Sequence, residues 1–302
     1  MNKAFFNTLK AGLIVLLSIL VKQEVKAQLN PMGALYFQNQ FLGNPAMAGK
    51  GGLNLNMGIR KQWNTIPGSP SAQTLTMDYG LNDKAGIGFN VNNDKSGLLK
   101  RTRLVSTYAY HLPLSDKNDK LSFGLSLGLL NERINNEELI GDSDDLSVAS
   151  YNQRSTFLDG DFGLAYTAGR INIQLTLPNL KGMVNQDDVR GAIDRSTFFS
   201  AISYKIKTSI TSGLEIEPKA VYRGVNGFND ILDLGANLSY GGNKLNVFGM
   251  YHSTKSATVG IGMNYQNLGF SGIYTTSTSV LSGYTSGNFE LSLKANLLNK
   301  QK

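Results

Sequence analysis

Two histidines, His111 and His252, are the side chains best suited to move a proton in this chain, because imidazole changes charge near neutral pH. Neither has a serine or carboxylate at the spacing of a hydrolase signature, and nucleophilic catalysis needs a base beside its nucleophile. Read as strand-end residues, both are expected at a membrane interface or in solvent. The chain has no cysteine, which removes disulfides and the lipid anchor that bacterial lipoproteins carry. Residues 132–154 hold Glu132, Glu137, Glu138, Asp142, Asp144 and Asp145 against Arg133 and Arg154. Asp142-Ser143-Asp144-Asp145 has oxygen ligands for calcium, but it lacks the glycine and distal glutamate of an EF-hand loop. A solvated acidic loop is the favoured reading. We assign no catalytic, cofactor-binding or metal-binding residue.

A second set of charges sits in a more telling context. Arg60, Asp78, Asp159, Asp161, Glu215, Glu217, Lys219 and Arg223 each fall on the polar side of an alternating segment. The clearest such segment is 121–129, L-S-F-G-L-S-L-G-L. Leu121, Phe123, Leu125, Leu127 and Leu129 share one face, with Ser122, Gly124, Ser126 and Gly128 on the other. Strict alternation is the period of a β-strand. A soluble sandwich strand has the same pattern, so recurrence has to decide. Similar segments run over 52–63, 72–80, 84–92, 98–112, 155–167, 170–177, 196–206, 213–223, 232–240, 244–252, 256–265, 268–276 and 287–298. In 98–112 the two faces are not distinguishable by composition.

This predicts an all-β fold, a transmembrane antiparallel barrel of about 14 strands, with even parity as in single-chain bacterial outer-membrane barrels. Large apolar side chains would face lipid, and the eight charges above would line the lumen, where they could border a solute path or simply pair with each other. Alternate connections support this. Those at 81–83, 113–119, 168–169, 207–212, 241–243 and 266–267 are short, whereas 64–71, 132–154, 178–195 and 277–286 are longer. Short periplasmic turns and long outer loops are the expected asymmetry. Trp63 and the strand-end tyrosines suit aromatic girdles at the two interfaces.

The N-terminus adds the compartment. Lys3 and Lys10 precede an apolar run over 11–21, and Val25-Lys26-Ala27 ends in small residues. This reads as a secretory signal peptide over 1–27, cut before Gln28; the run is too short for a spanning helix. Removing its four lysines and one glutamate takes the formal charge from +7 to +4, too mild and scattered for nucleic acid. Residues 28–50 are not strand-like, with Pro31, Asn44-Pro45 and Gly49 around Leu35-Tyr36-Phe37. They predict an ordered N-terminal segment that could tuck into the barrel, which would occupy 51–302.

Several short motifs then resemble one family. Asn44-Pro45-Ala46-Met47-Ala48-Gly49 is similar to the N-P-A-x-A-G motif of the PorP/SprF proteins, outer-membrane components of type IX secretion in Bacteroidetes. Arg60-Lys61-Gln62-Trp63 with Ile66-Pro67-Gly68-Ser69-Pro70 resembles that family's R-x-Q-W and following loop. Gly86-Ile87-Gly88, Asn93-Asp94-Lys95-Ser96-Gly97 and Leu121-Ser122-Phe123-Gly124-Leu125 fit as well. Towards the C-terminus the match weakens: Phe289 stands where histidine is usual, and His252 where arginine is common.

The resemblance implies a non-enzymatic barrel that delivers or retains secreted adhesin cargo at the cell surface, linked to gliding motility. It implies contacts with outer-membrane lipid, with the cargo's C-terminal domain and with other type IX components, and no cofactor. Candidate partner-binding residues in the outer loops are Trp63, Pro67, Pro70, Glu137, Glu138, Asp142, Asp144, Asp145, Asp187 and Asp188. The alternative is an outer-membrane channel for hydrophobic or small solutes.

Overall fold

The structure, a computed structural model, describes residues 34–63, 68–115, 119–134, 151–152, 156–181, 196–208, 213–225, 229–277 and 286–298. Fifteen strand segments follow one another: β1 (Leu53–Gln62), β2 (Ser71–Gly80), β3 (Ala85–Ser96), β4 (Leu99–Pro113), β5 (Lys120–Ile134), β6 (Phe157–Ala168), β7 (Ile171–Leu177), β8 (Ser196–Tyr204), β9 (Ile206–Lys207), β10 (Glu215–Val225), β11 (Ile231–Tyr240), β12 (Leu245–His252), β13 (Ser256–Tyr265), β14 (Leu268–Thr275) and β15 (Asn288–Leu297). Each pairs antiparallel with the next, except that β8 and β9 both pair with β10, and β15 returns to β1 from Leu53↔Leu297 to Gln62↔Asn288. The sheet is therefore a closed barrel of 14 strands, which leaves no edge whose backbone groups would lack partners in lipid.

The segment read as one strand over 196–206 is divided into β8 and β9 at Lys205. Both pieces keep a single register against β10, with Ser203↔Lys219 and Ile206↔Ile216. That register sets Pro218 opposite Tyr204, and proline has no N–H to give the ladder. The two pieces count as one wall position, which preserves even parity.

The two faces separate cleanly. Leu127, Ile261 and Leu291 are more than 60% exposed on the outer face, while Ser122 and Ser126 in the same strand as Leu127 are 0% and 2% exposed. The ambiguous strand β4 resolves as well: Leu104, Tyr108, Tyr110 and Leu112 face out, and Val105, Thr107, Ala109 and His111 face in. Its faces are hard to read because Val105 and Ala109 are apolar yet point inward, where they meet protein rather than water. The connections at 81–84, 169–170, 241–244 and 266–267 lie at one end, the tight-turn end. The longer connections at 63–70, 178–195 and 276–287 lie at the other, together with tight turns at 97–98 and 253–255.

Candidate functional site

The lumen is crossed by the segment that precedes β1. Leu35–Phe37 and Pro45–Met47 form single 3-10 turns on either side of a one-turn helix, α1 (Gln40–Gly43). Such short turns do not hold themselves together, so the wall must. The segment starts near the loop-bearing end at Ala34 and crosses the lumen. It leaves at the tight-turn end through Gly49, where the Gly49 N–H donates to Asp78 Oδ2 at 2.9 Å.

The Asn44-Pro45-Ala46 turn is seated on β5 and β6. Asn44 caps it, its Oδ1 accepting from the Ala46 N–H at 2.9 Å, while its Nδ2 donates to the Leu164 carbonyl at 2.9 Å. Proline at the first helical position suits such a turn. Backbone approaches the wall so closely that a Cβ on Gly124 would lie 2.2 Å from Ala46 N, and one on Gly163 2.1 Å from Asn44 Oδ1. The small inward residues of the alternating strands are thus a moulded seat for this turn. His111 completes it: Nε2 lies 3.0 Å from the Ala48 carbonyl and Nδ1 2.9 Å from Ser122 Oγ. Since a carbonyl only accepts, Nε2 carries a proton.

The other end of the plug is clamped by charge. Asp233 Oδ2 accepts from Tyr36 Oη at 2.5 Å and from Arg223 Nε at 2.8 Å, and Asp233 Oδ1 lies 2.6 Å from His252 Nδ1. Arg223 also lies over the Tyr36 ring, 5.3 Å from its centroid. Glu290 accepts the Ala34 N–H with both oxygens, at 2.8 and 3.1 Å, and Lys219 Nζ donates to the Phe37 carbonyl at 2.9 Å. Phe37 stacks on Phe248 with centroids 5.1 Å apart. Buried charges persist only when paired and hydrogen-bonded, and here the plug supplies part of that pairing.

His252 Nε2 is 2.7 Å from Thr258 Oγ1, so threonine, histidine and aspartate stand in the order of a catalytic triad. All three are at most 2% exposed, and neither main cavity reaches them. A triad needs a substrate at its hydroxyl; this one joins three strands and a plug. Both histidines are therefore interior residues, correcting the expectation that they would be interfacial or solvated. Their partners were invisible to motif spacing because they come from cross-strand register, His111↔Ser122 and His252↔Asp233.

The other charges read from the sequence all lie on the lumen side. Asp159 and Asp161 are held by Arg103, at 3.0 Å from its Nε and 2.8 Å from its Nη2. Arg60 is 8% exposed, Asp78 5%, Lys219 8% and Arg223 1%. Glu215 and Glu217 lie 3.9 Å from Lys205 and Lys219. Arg103 and Asp233 escape the sequence reading; Glu290 falls there on the polar side of its strand and Tyr36 in the segment expected to tuck into the barrel, but neither is singled out as a site residue. Among the outer-loop candidates, the Trp63 backbone N–H donates to the Gly287 carbonyl at 2.9 Å, and the Pro70 carbonyl accepts from the Gln62 backbone N–H at 2.9 Å. Pro67, Glu137, Glu138, Asp142, Asp144, Asp145, Asp187 and Asp188 lie outside the described residues.

The plug divides the lumen into two cavities. One, of about 690 Å³, reaches the tight turns; the other, of about 170 Å³, lies towards Arg101, Arg103 and Pro178 at the loop-bearing end. Leu35, Leu42 and Thr74 border both. There Leu35 is set against Gly58 of β1.

A closed, even-stranded barrel with an apolar belt and a plugged polar lumen is an outer-membrane β-barrel. The model of the type IX secretion system membrane protein PorP/SprF family matches residues 25–295. The chain belongs to that family. No curated protein matches it. Among solved structures it is similar to the outer membrane protein Omp33 of Acinetobacter baumannii, at 6% identity and TM-score 0.49, over 82% of this chain and 98% of that one. It is also similar to the toluene transporter TbuX of Ralstonia pickettii, at 12% identity and TM-score 0.43, over 89% and 93%. The KdgM porin matches at 8% identity and TM-score 0.40, over 81% and 99%.

Proposed function

We propose that this outer-membrane barrel is an accessory of type IX secretion that retains secreted adhesin cargo at the cell surface, through the cargo's C-terminal domain. Family membership supplies the secretion-system and membrane context. The observation that carries the reading is the plug: a lumen crossed by 16 tightly held residues, 34–49, is poorly suited to free passage. With the lumen occupied, the loop-bearing end is the surface left for a partner arriving from outside. In this reading the tight turns face the periplasm, the signal peptide is removed before Gln28, and other type IX components are further partners.

The connections 135–156 and 178–195 are the longest in the chain, and the area of a standard interface, roughly 800 Å² per partner, has to come from such loops. The acidic residues 137–145 favour a basic partner surface, so association weakens as salt rises. The test is to shorten 137–148 to a tight turn. The expected result is an assembled barrel that releases its cargo into the medium. Retained cargo together with lost uptake of a small solute would instead select the channel reading.

A further inference from the structure

The larger cavity has a chemistry the cargo reading does not use. It opens among the tight turns, bordered by Gly213, Gly242 and Asn243, and ends at the plug. Four lysines line it, Lys205, Lys207, Lys219 and Lys294, against Glu215 and Glu217. Lys219 is committed to the Phe37 carbonyl, and the nearest contacts of Lys205 to Glu215 and of Lys219 to Glu217 are both 3.9 Å, the far limit of an ion pair. The mouth is thus an excess of positive charge converging on a low-dielectric cleft, which concentrates anions.

Two acceptors in the same wall point the other way. Glu217 and Asn237 face each other in register across β10 and β11. Glu217 Oε1 and Asn237 Oδ1 are both buried and without a hydrogen-bond donor among the described residues. Buried acceptors of this kind ordinarily have partners. A simple anion would satisfy the lysines and repel Glu217. A polypeptide with acidic side chains gives its carboxylates to the lysines and spaces them away from Glu217. A glycan is less suited: Phe37, the aromatic ring on the plug side, has one face on Phe248 and Lys219 4.3 Å from its centroid. The cavity volume lies within the roughly 300–1,000 Å³ of ligand-holding pockets.

We propose that this vestibule is a docking site for an acidic, extended polypeptide segment of a partner protein that enters from the tight-turn end and stops at the plug. The chain's own acidic stretch, 132–145, begins at the end of β5 on the loop-bearing side, so the segment comes from another protein. The proposal is independent of cargo retention, which concerns the loop-bearing end, and its failure would leave that reading standing.

The test uses the full-length mature barrel in detergent micelles and a fluorescein-labelled peptide, Gly-Asp-Glu-Gly-Asp-Glu-Gly, followed by anisotropy. A matched peptide with Asn and Gln at the acidic positions serves as comparator, and inorganic phosphate as competitor. The acidic peptide is expected to bind at least about tenfold more tightly than the neutral one, a difference of about 1.4 kcal/mol. Binding should weaken from about 50 to about 300 mM salt. Lys205→Glu with Lys207→Glu should abolish it. Unchanged melting of the variant establishes that the barrel is intact. Absence of binding to the unaltered barrel, binding unaffected by the lysine changes, or full displacement by phosphate at matched charge would each overturn the proposal.

Discussion

Tyr36 and Asp233 stand 197 positions apart in the chain and meet inside the barrel through an O–H···O hydrogen bond of 2.5 Å. The carboxylate also holds Arg223 and His252, so it is a hub that serves wall and plug together. Tyr36→Phe removes one bond and leaves the carboxylate otherwise satisfied, at a cost of about 1–3 kcal/mol. Asp233→Ala strands a buried guanidinium, for which about 3–5 kcal/mol is expected. Thermal unfolding in detergent should therefore rank the unaltered protein above Tyr36→Phe, and Tyr36→Phe well above Asp233→Ala. Equal losses would mean that the plug contributes nothing to the clamp.

The seat of the Asn44-Pro45-Ala46 turn admits no side chain at Gly124. In Gly124→Val the new Cβ meets backbone rather than a flexible side chain, so the turn has to leave. Hydrogen exchange at the amides of Ala46 and Ala48, which donate to Asn44 Oδ1 and the Pro45 carbonyl, should become much faster, with the strand amides still protected. Unchanged protection would place the turn elsewhere.

Leu35 and Leu42 form the partition between the two cavities. An apolar constriction of this kind excludes water and ions. The unaltered barrel should show little conductance in a planar bilayer, and Leu35→Ala with Leu42→Ala should raise it. A double variant as silent as the unaltered barrel would mean that the plug seals the lumen at a second level.

Lipid and lumen faces should respond differently to charge. Leu127→Arg and Ile173→Arg each put a cation near mid-bilayer on the outer face, costing about 2–4 kcal/mol. Asn237→Arg faces the vestibule and should be tolerated. Refolding yield into lipid vesicles distinguishes the two sets, and similar losses from both would invert the assignment of faces.

The strands were legible because lipid imposes a strict rule on one face, and that rule repeats fourteen times. Leu121 to Leu129 announces its outward side without help from any neighbour. The lumen obeys a weaker rule. Its inward residues are chosen to fit a plug, so Ala109 looks misplaced until the plug is present, and Gly124 and Gly163 look merely small. The clamp was illegible for a different reason. Asp233, His252 and Tyr36 come together through strand register and a chain crossing, neither of which leaves a local spacing to read. His111 and His252 stand out in the sequence as residues capable of chemistry; what they do is fixed by Ser122, Ala48 and Asp233, each supplied by another segment.

The closing seam between β1 and β15 has a property beyond its backbone ladder. The plug runs directly into β1 at one end and at the other hands its Ala34 N–H to Glu290 of β15, with Leu35 nested at Gly58 beside the same joint. It is therefore a strap laid across the seam from the inside. Parting β1 from β15 sideways, into the bilayer, would have to tear the strap from Glu290 as well as break the ladder. Opening towards lipid and emptying the lumen are mechanically one event in this barrel, and a partner that pulls on the plug pulls on the seam.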